Sequence, residues 1–140
     1  MEWSTYGIDG LETIAAELLR FAGDRRKWLF FGEIGAGKTT LTQAICRHFG
    51  VKDQVTSPTF SLVNEYTYTQ NDSTKIIHHL DLYRLKSVEE AIDIGIEEYL
   101  DDPWLCLIEW PEIIEPLWPE EIVKIKIEIL EDSKRKILFL

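Results

Sequence analysis

Gly32-Glu33-Ile34-Gly35-Ala36-Gly37-Lys38-Thr39 fits the pattern G-x-x-x-x-G-K-[ST]. Chemistry explains each position. The glycines let successive backbone N–H groups, from Glu33 through Gly37, converge on phosphate oxygens as an anion nest. The first turn of a following helix adds its partial positive charge. Lys38 can reach β- and γ-phosphates as a point charge, Thr39 can offer its hydroxyl to Mg²⁺, and Thr40 can bond a phosphate nearby. Gly35, Ala36 and Gly37 form the cradle itself.

Such a loop needs a carboxylate at the end of a second buried strand, to hold the magnesium shell. Leu105-Cys106-Leu107-Ile108-Glu109 supplies one, with Glu109 where Asp is usual. Its longer arm can reach the metal, bond through a water, or orient an attacking water. Asp81, in His79-Leu80-Asp81-Leu82-Tyr83-Arg84, stands at the exit of another strand. There a carboxylate can join the metal shell, position water, or simply cap a turn. Thr59, in Thr56-Ser57-Pro58-Thr59-Phe60, comes after the phosphate-loop helix. Nucleotide switches bring a loop hydroxyl to the metal from that place when the γ-phosphate is present; an ordinary loop hydroxyl is the other reading.

The elements that must hold these groups are legible as pattern. Leu11, Ile14, Ala15, Leu18, Leu19 and Ala22 recur at helical spacing, with Gly23 as a stop. Trp28 to Phe31 reads as a strand buried on both faces. Lys38 to Phe49 reads as a helix closed by Gly50. Phe60 to Tyr68 and Lys75 to Leu80 read as a β-hairpin around Asn71-Asp72-Ser73. Ser87 and Glu90 have capping-box spacing and open a helix through about Tyr99. Trp104 to Ile108 is another buried strand. Pro111, Pro116 and Pro119 break up the segment after it, and Ile122–Leu130 with Lys136–Leu140 form a C-terminal hairpin. The order implies an α/β fold with a mixed central sheet, a three-layer arrangement like that of P-loop nucleotide hydrolases.

Composition narrows the classes. The 140 residues suit one domain. The longest wholly apolar run, Trp104 to Ile108, is far short of the roughly 20 residues of a membrane span. Two cysteines, Cys46 and Cys106, make neither a disulfide framework nor a zinc site, which fits a reducing cytoplasm. Fifteen Lys and Arg against 25 Asp and Glu give −10, the wrong sign for gripping nucleic acid directly. Ser87 to Glu121 holds 12 acidic residues and no Lys or Arg. That stretch is either a solvated acidic surface or a face for a basic protein partner. His78 and His79 point to opposite faces of a strand with no ligand-like spacing to another His or Cys, and are assigned to structure. Tyr66, Tyr68 and Tyr83 are assigned to packing rather than to stacking on a base.

Four segments in order resemble one family. They are Gly32–Thr40, Ser57-Pro58-Thr59-Phe60, Asp81-Leu82-Tyr83-Arg84-Leu85 and Ile108-Glu109-Trp110-Pro111. Together they are similar to the TsaE (YjeE) family of small bacterial P-loop ATPases, which serve synthesis of threonylcarbamoyladenosine in tRNA. The resemblance implies ATP and Mg²⁺ as cofactors, and action with the TsaB–TsaD pair, where hydrolysis supports that pair's catalytic cycle. The tRNA would then be met indirectly, through the complex. It implies catalytic roles for Lys38, Asp81 and Glu109, metal binding by Thr39 and Glu109, and a switch or partner-sensing role for Ser57, Thr59 and Trp110. A small-molecule kinase and a nucleotide-dependent adaptor remain as alternatives. The absence of Arg between Arg84 and Arg135 speaks against a kinase lid, and the absence of Asn-Lys-x-Asp against a GTPase.

Overall fold

Apolar residues in unbroken runs build the centre. The computed structural model describes residues 1–6, 10–33, 35–53, 55, 62–131 and 134–140. In chain order it holds β1 (Glu2–Tyr6), α1 (Leu11–Ala22), β2 (Lys27–Phe31) and α2 (Lys38–Phe49). Next come β3 (Val63–Gln70), β4 (Ser73–Asp81), α3 (Val88–Asp93), α4 (Ile96–Asp101) and β5 (Leu105–Glu109). A 3₁₀ segment (Pro111–Leu117), β6 (Ile122–Ile129) and β7 (Lys134–Phe139) complete the chain.

The seven strands form one sheet in the order β1-β7-β6-β2-β5-β4-β3. β6, β2, β5 and β4 run parallel, while β1, β7 and β3 are antiparallel to their neighbours. β2 and β5 are the runs buried on both faces, as their continuous hydrophobicity implies. One face packs Trp28, Phe30, Leu107 and Ile125 against α1 and α2. The other packs Leu29, Leu80, Cys106 and Ile108 against α3, α4 and the 3₁₀ segment. This is the mixed, three-layer arrangement expected.

Several boundaries differ from expectation, each for a physical reason. β1 carries no turn signal or long apolar run, and it forms only by pairing with β7 at the sheet edge. The expected helix from Ser87 to Tyr99 is two helices. Gly95 adopts φ 83°, which ends the first and starts the second. The Ser87 hydroxyl accepts the Glu90 N–H as a cap should, while the Glu90 carboxylate accepts from Lys86 N–H. At the β3–β4 turn Asn71 and Asp72 both have positive φ, the two-residue geometry matched to strand twist. Of the three prolines expected to break up the segment after β5, Pro111 opens a short 3₁₀ run, Pro116 lies within it, and Pro119 lies beyond its end.

Candidate active site

Parallel β2, β5 and β4 end side by side, so whatever leaves their carboxyl ends shares one crevice. Phe30 pairs with Glu109, and Glu109 with Asp81, in one row across the sheet. Side chains in such a row share a face, and here it is the face that α2 covers. The glycine-rich loop leaves β2 just beyond that row.

The loop approaches the sheet closely. A Cβ on Gly32 would stand 2.8 Å from the Ile127 carbonyl oxygen and 3.2 Å from the Ala36 Cβ, so no larger residue fits without moving β6. Arg135 on β7 donates from Nε to the Ala36 carbonyl at 3.0 Å and from Nη2 to the Gly35 carbonyl at 3.3 Å. Arg135 thus ties two of the loop's carbonyls to β7, while the Ala36 N–H closes back on the Glu33 carbonyl at 3.0 Å. No side chain caps the N-terminus of α2, and no acidic residue lies in its first turn. Those are the conditions for an anion at a helix N-terminus.

A cavity of about 420 Å³ opens over this end of the sheet. Lys38, Thr39, Thr40, Asp81, Glu109 and Trp110 are among its walls. The Lys38 ammonium donates to the Gly32 carbonyl at 2.8 Å and lies 3.6 Å from the centre of the Trp110 ring. Burial pushes its pKa down, and the charges of Glu109, Asp81 and Glu112 work against that. Trp110 has φ 57° and ψ 53°, a left-handed conformation unusual for so bulky a residue. It comes directly after Glu109, and the turn lays its ring over Lys38 and 5.0 Å from that of Tyr83.

The carboxylates differ in setting. Glu109 is 3% exposed. Its Oε2 accepts from the Thr39 hydroxyl at 3.3 Å and lies 2.5 Å from His79 Nε2. Asp81 is half-buried and accepts the Tyr83 N–H at 3.1 Å, so it both closes a turn and faces the cavity. Burial raises its pKa; the Tyr83 N–H lowers it, and the Glu109 charge adds to the rise. Among the described residues no three His, Cys, Asp or Glu groups gather into a metal cage. A hydroxyl and a carboxylate beside a phosphate cradle nonetheless suit Mg²⁺, which keeps most of its waters and takes substrate phosphates as ligands. Thr39 and Glu109 fit that description.

Lys38, Thr39, Thr40, Asp81, Glu109 and Trp110, separated in sequence, thus meet around one cavity, with Gly35 and Gly37 lining it and Glu33 and Ala36 in the same loop. Ile34, Ser57 and Thr59 lie outside the described residues. Two contacts escaped sequence reasoning. His79, assigned to structure, touches Glu109; the period of two that aligns it with Asp81 was the available signal. Arg135 reaches the loop from 99 residues away, and no local pattern announces that. Tyr83, assigned to packing, is 55% exposed and lines the cavity. Tyr66 is buried, and Tyr68 packs on Phe49 with ring centres 4.9 Å apart. No arginine is among the described residues that line the cavity.

Away from the site, α3 and α4 expose Glu89, Glu90, Asp93, Glu97, Glu98 and Asp101. Ile92 and Ile94 stand exposed among them. No helix among the described residues is long and apolar enough to cross a membrane.

Comparison with known proteins matches residues 7–137 to the family model described as "Threonylcarbamoyl adenosine biosynthesis protein TsaE". The chain is 34% identical over 139 residues to the tRNA threonylcarbamoyladenosine biosynthesis protein TsaE of Bacillus subtilis, covering 99% of this chain and 84% of that one. It is 41% identical over 103 residues to the protein of the same description from Haemophilus influenzae, covering 74% and 63% respectively. A crystal structure of Bacillus subtilis YdiB superimposes with a TM-score of 0.77 and 30% identity, over 99% of this chain and 83% of that one.

Proposed function

The chain belongs to the TsaE family of tRNA threonylcarbamoyladenosine biosynthesis, and from that premise we propose that it is a Mg²⁺-dependent ATPase working with the TsaB–TsaD pair. The single observation that carries the reading is the convergence of Lys38, Thr39 and Glu109 on one cavity at the uncapped N-terminus of α2. ATP enters with its phosphates against the loop amides. Lys38 leaves Trp110 and the Gly32 carbonyl for the β- and γ-phosphates, exchanging a carbonyl dipole for full negative charge. Thr39 and Glu109 would hold Mg²⁺, which would supply charge neutralisation for the phosphates. Asp81, whose burial raises its pKa, receives the proton of the water that attacks the γ-phosphorus, while ADP departs with the electrons of the broken bond.

Two features suit dependence on a partner. An arginine over the transferred phosphate is worth about 10³–10⁵ in rate, and this cavity has none among its described walls. The acidic face of α3 and α4 suits contact with a basic protein surface, and the tRNA is then held by the partners and not by this chain. Isothermal titration with Mg·ATP tests the site. Lys38→Ala should weaken binding by roughly 10–100-fold, since a charge-assisted hydrogen bond contributes about 1.5–3 kcal/mol. Unchanged affinity together with unchanged phosphate release would reject the assignment.

A further inference from the structure

His79 is not among the described residues that line the cavity, yet it touches Glu109, which is. It is fully buried on β4, two residues before Asp81, on the face that α2 covers. Its Nε2 is 2.5 Å from Glu109 Oε2, the same oxygen that accepts from Thr39. Its Nδ1 is buried with no hydrogen-bond partner among the described residues. A carboxylate oxygen only accepts, so Nε2 carries the hydrogen.

Packing alone does not call for this residue. Ile77 and Leu107, on the same face, are apolar. A buried ionisable pair is seldom better for stability than an apolar pair of similar size. The carboxylate, in contrast, has much to gain. Glu109 has one more rotatable bond than the Asp usual in such sites, and so more orientations to lose. Two donors on one oxygen remove that freedom and leave Oε1 to be directed by them.

We propose that His79 is a positioning residue: its Nε2–H fixes the Glu109 carboxylate against Thr39, in the orientation that receives the metal. The inference rests on the nucleotide-site reading and adds one residue to it. An outer hydrogen-bond partner of a metal ligand typically governs about 10–100-fold in metal affinity or activity. His79→Gln keeps an N–H donor at the reach of Nε2. His79→Asn is polar but too short to reach Glu109, and His79→Leu removes the donor.

Mn²⁺, read by electron paramagnetic resonance, is titrated into protein with ADP, and ADP affinity in EDTA is measured in parallel. Asn and Leu should weaken Mn²⁺ binding by about 10–100-fold, with ADP affinity in EDTA within about threefold of wild type. Gln should stay within about threefold of wild type in both. In steady-state hydrolysis the Asn variant should lose kcat with little change in KM, and Gln should recover it. Because Gln and Asn are both polar, their contrast decides the matter even if the Leu variant fails to fold. Equal Mn²⁺ affinity in Asn, Gln and wild type overturns the positioning role and leaves the nucleotide site standing. Equal losses in Asn and Gln, extending to ADP affinity in EDTA, mean a purely structural histidine and overturn it too. If wild-type protein adds nothing to the affinity of ADP for Mn²⁺, the nucleotide-site reading falls and this proposal with it.

Discussion

Gly32→Ala probes a close approach between the phosphate loop and the sheet. The new Cβ would meet the Ile127 carbonyl oxygen at 2.8 Å, and that oxygen belongs to β6 backbone, which has no rotamer to turn aside. Gly32 also has φ 154°, where a side chain is strained. Overpacking of this kind costs about 1–3 kcal/mol, and a disfavoured backbone conformation about 1–3 more. Their sum, about 2–6 kcal/mol, is large against the 5–15 kcal/mol that holds a typical domain folded. Gly95→Ala is the control. Gly95 has φ 83° with nothing within 4 Å of the added carbon, so only the conformational cost of about 1–2 kcal/mol applies. Urea unfolding of both variants, with slopes compared to the wild type, separates the two contributions. Gly32→Ala should unfold at clearly lower urea than Gly95→Ala and should bind ATP more weakly, because β6 and the loop must part to admit the methyl. Equal midpoints for the two variants, or Gly32→Ala within about 0.5 kcal/mol of wild type, would refute the steric reasoning.

Glu109→Ala and Asp81→Ala should each lower kcat by about 10²–10⁴-fold with ATP affinity changed only a few-fold, read by phosphate release beside calorimetry. Asp81→Asn bears on pH. Burial holds the folded-state pKa of Asp81 above its ordinary 3.8, so its ionised form disfavours folding, and stability falls as pH rises from there through the folded pKa. The Asn variant without nucleotide should therefore melt higher than wild type at neutral pH, and the gain should vanish below pH 3.8. Charge reversal at Glu89, Asp93 and Glu97 should weaken capture by TsaB–TsaD, and the wild-type complex should weaken with salt; binding that strengthens with salt excludes the acidic face.

The parts of this molecule that short-range pattern encodes were readable from the chain alone. Lys38 to Phe49 is the helix expected, closed by Gly50. Asn71-Asp72 makes the turn its residue types demand. The buried strands β2 and β5 follow from unbroken apolar runs that end where Gly32 and Glu109 stand. The features that escaped depend on distant partners. β1 is a strand because β7 lies beside it, some 130 residues later. Gly95 was a glycine inside a helical pattern, where tolerance and termination look alike until φ is known. Lys27, at the start of β2, is buried because Asp102, the Tyr99 carbonyl and the Trp104 carbonyl converge on its ammonium. Arg135 on the loop carbonyls and His79 on Glu109 are of the same kind. Each is a polar contact between elements, and periodicity within one element carries no record of it.

We propose that this cavity hydrolyses ATP in the service of partner proteins. Phosphate release, measured with purified TsaB and TsaD and saturating Mg·ATP, tests it most directly. Alone, wild-type protein should turn over slowly; the pair should accelerate it by at least about tenfold, and complex formation should favour ATP over ADP. Lys38→Ala and Glu109→Ala should abolish the stimulated rate. Equal rates with and without the pair, or a stimulated rate that survives both substitutions, would show that the cavity is not a partner-driven ATPase site.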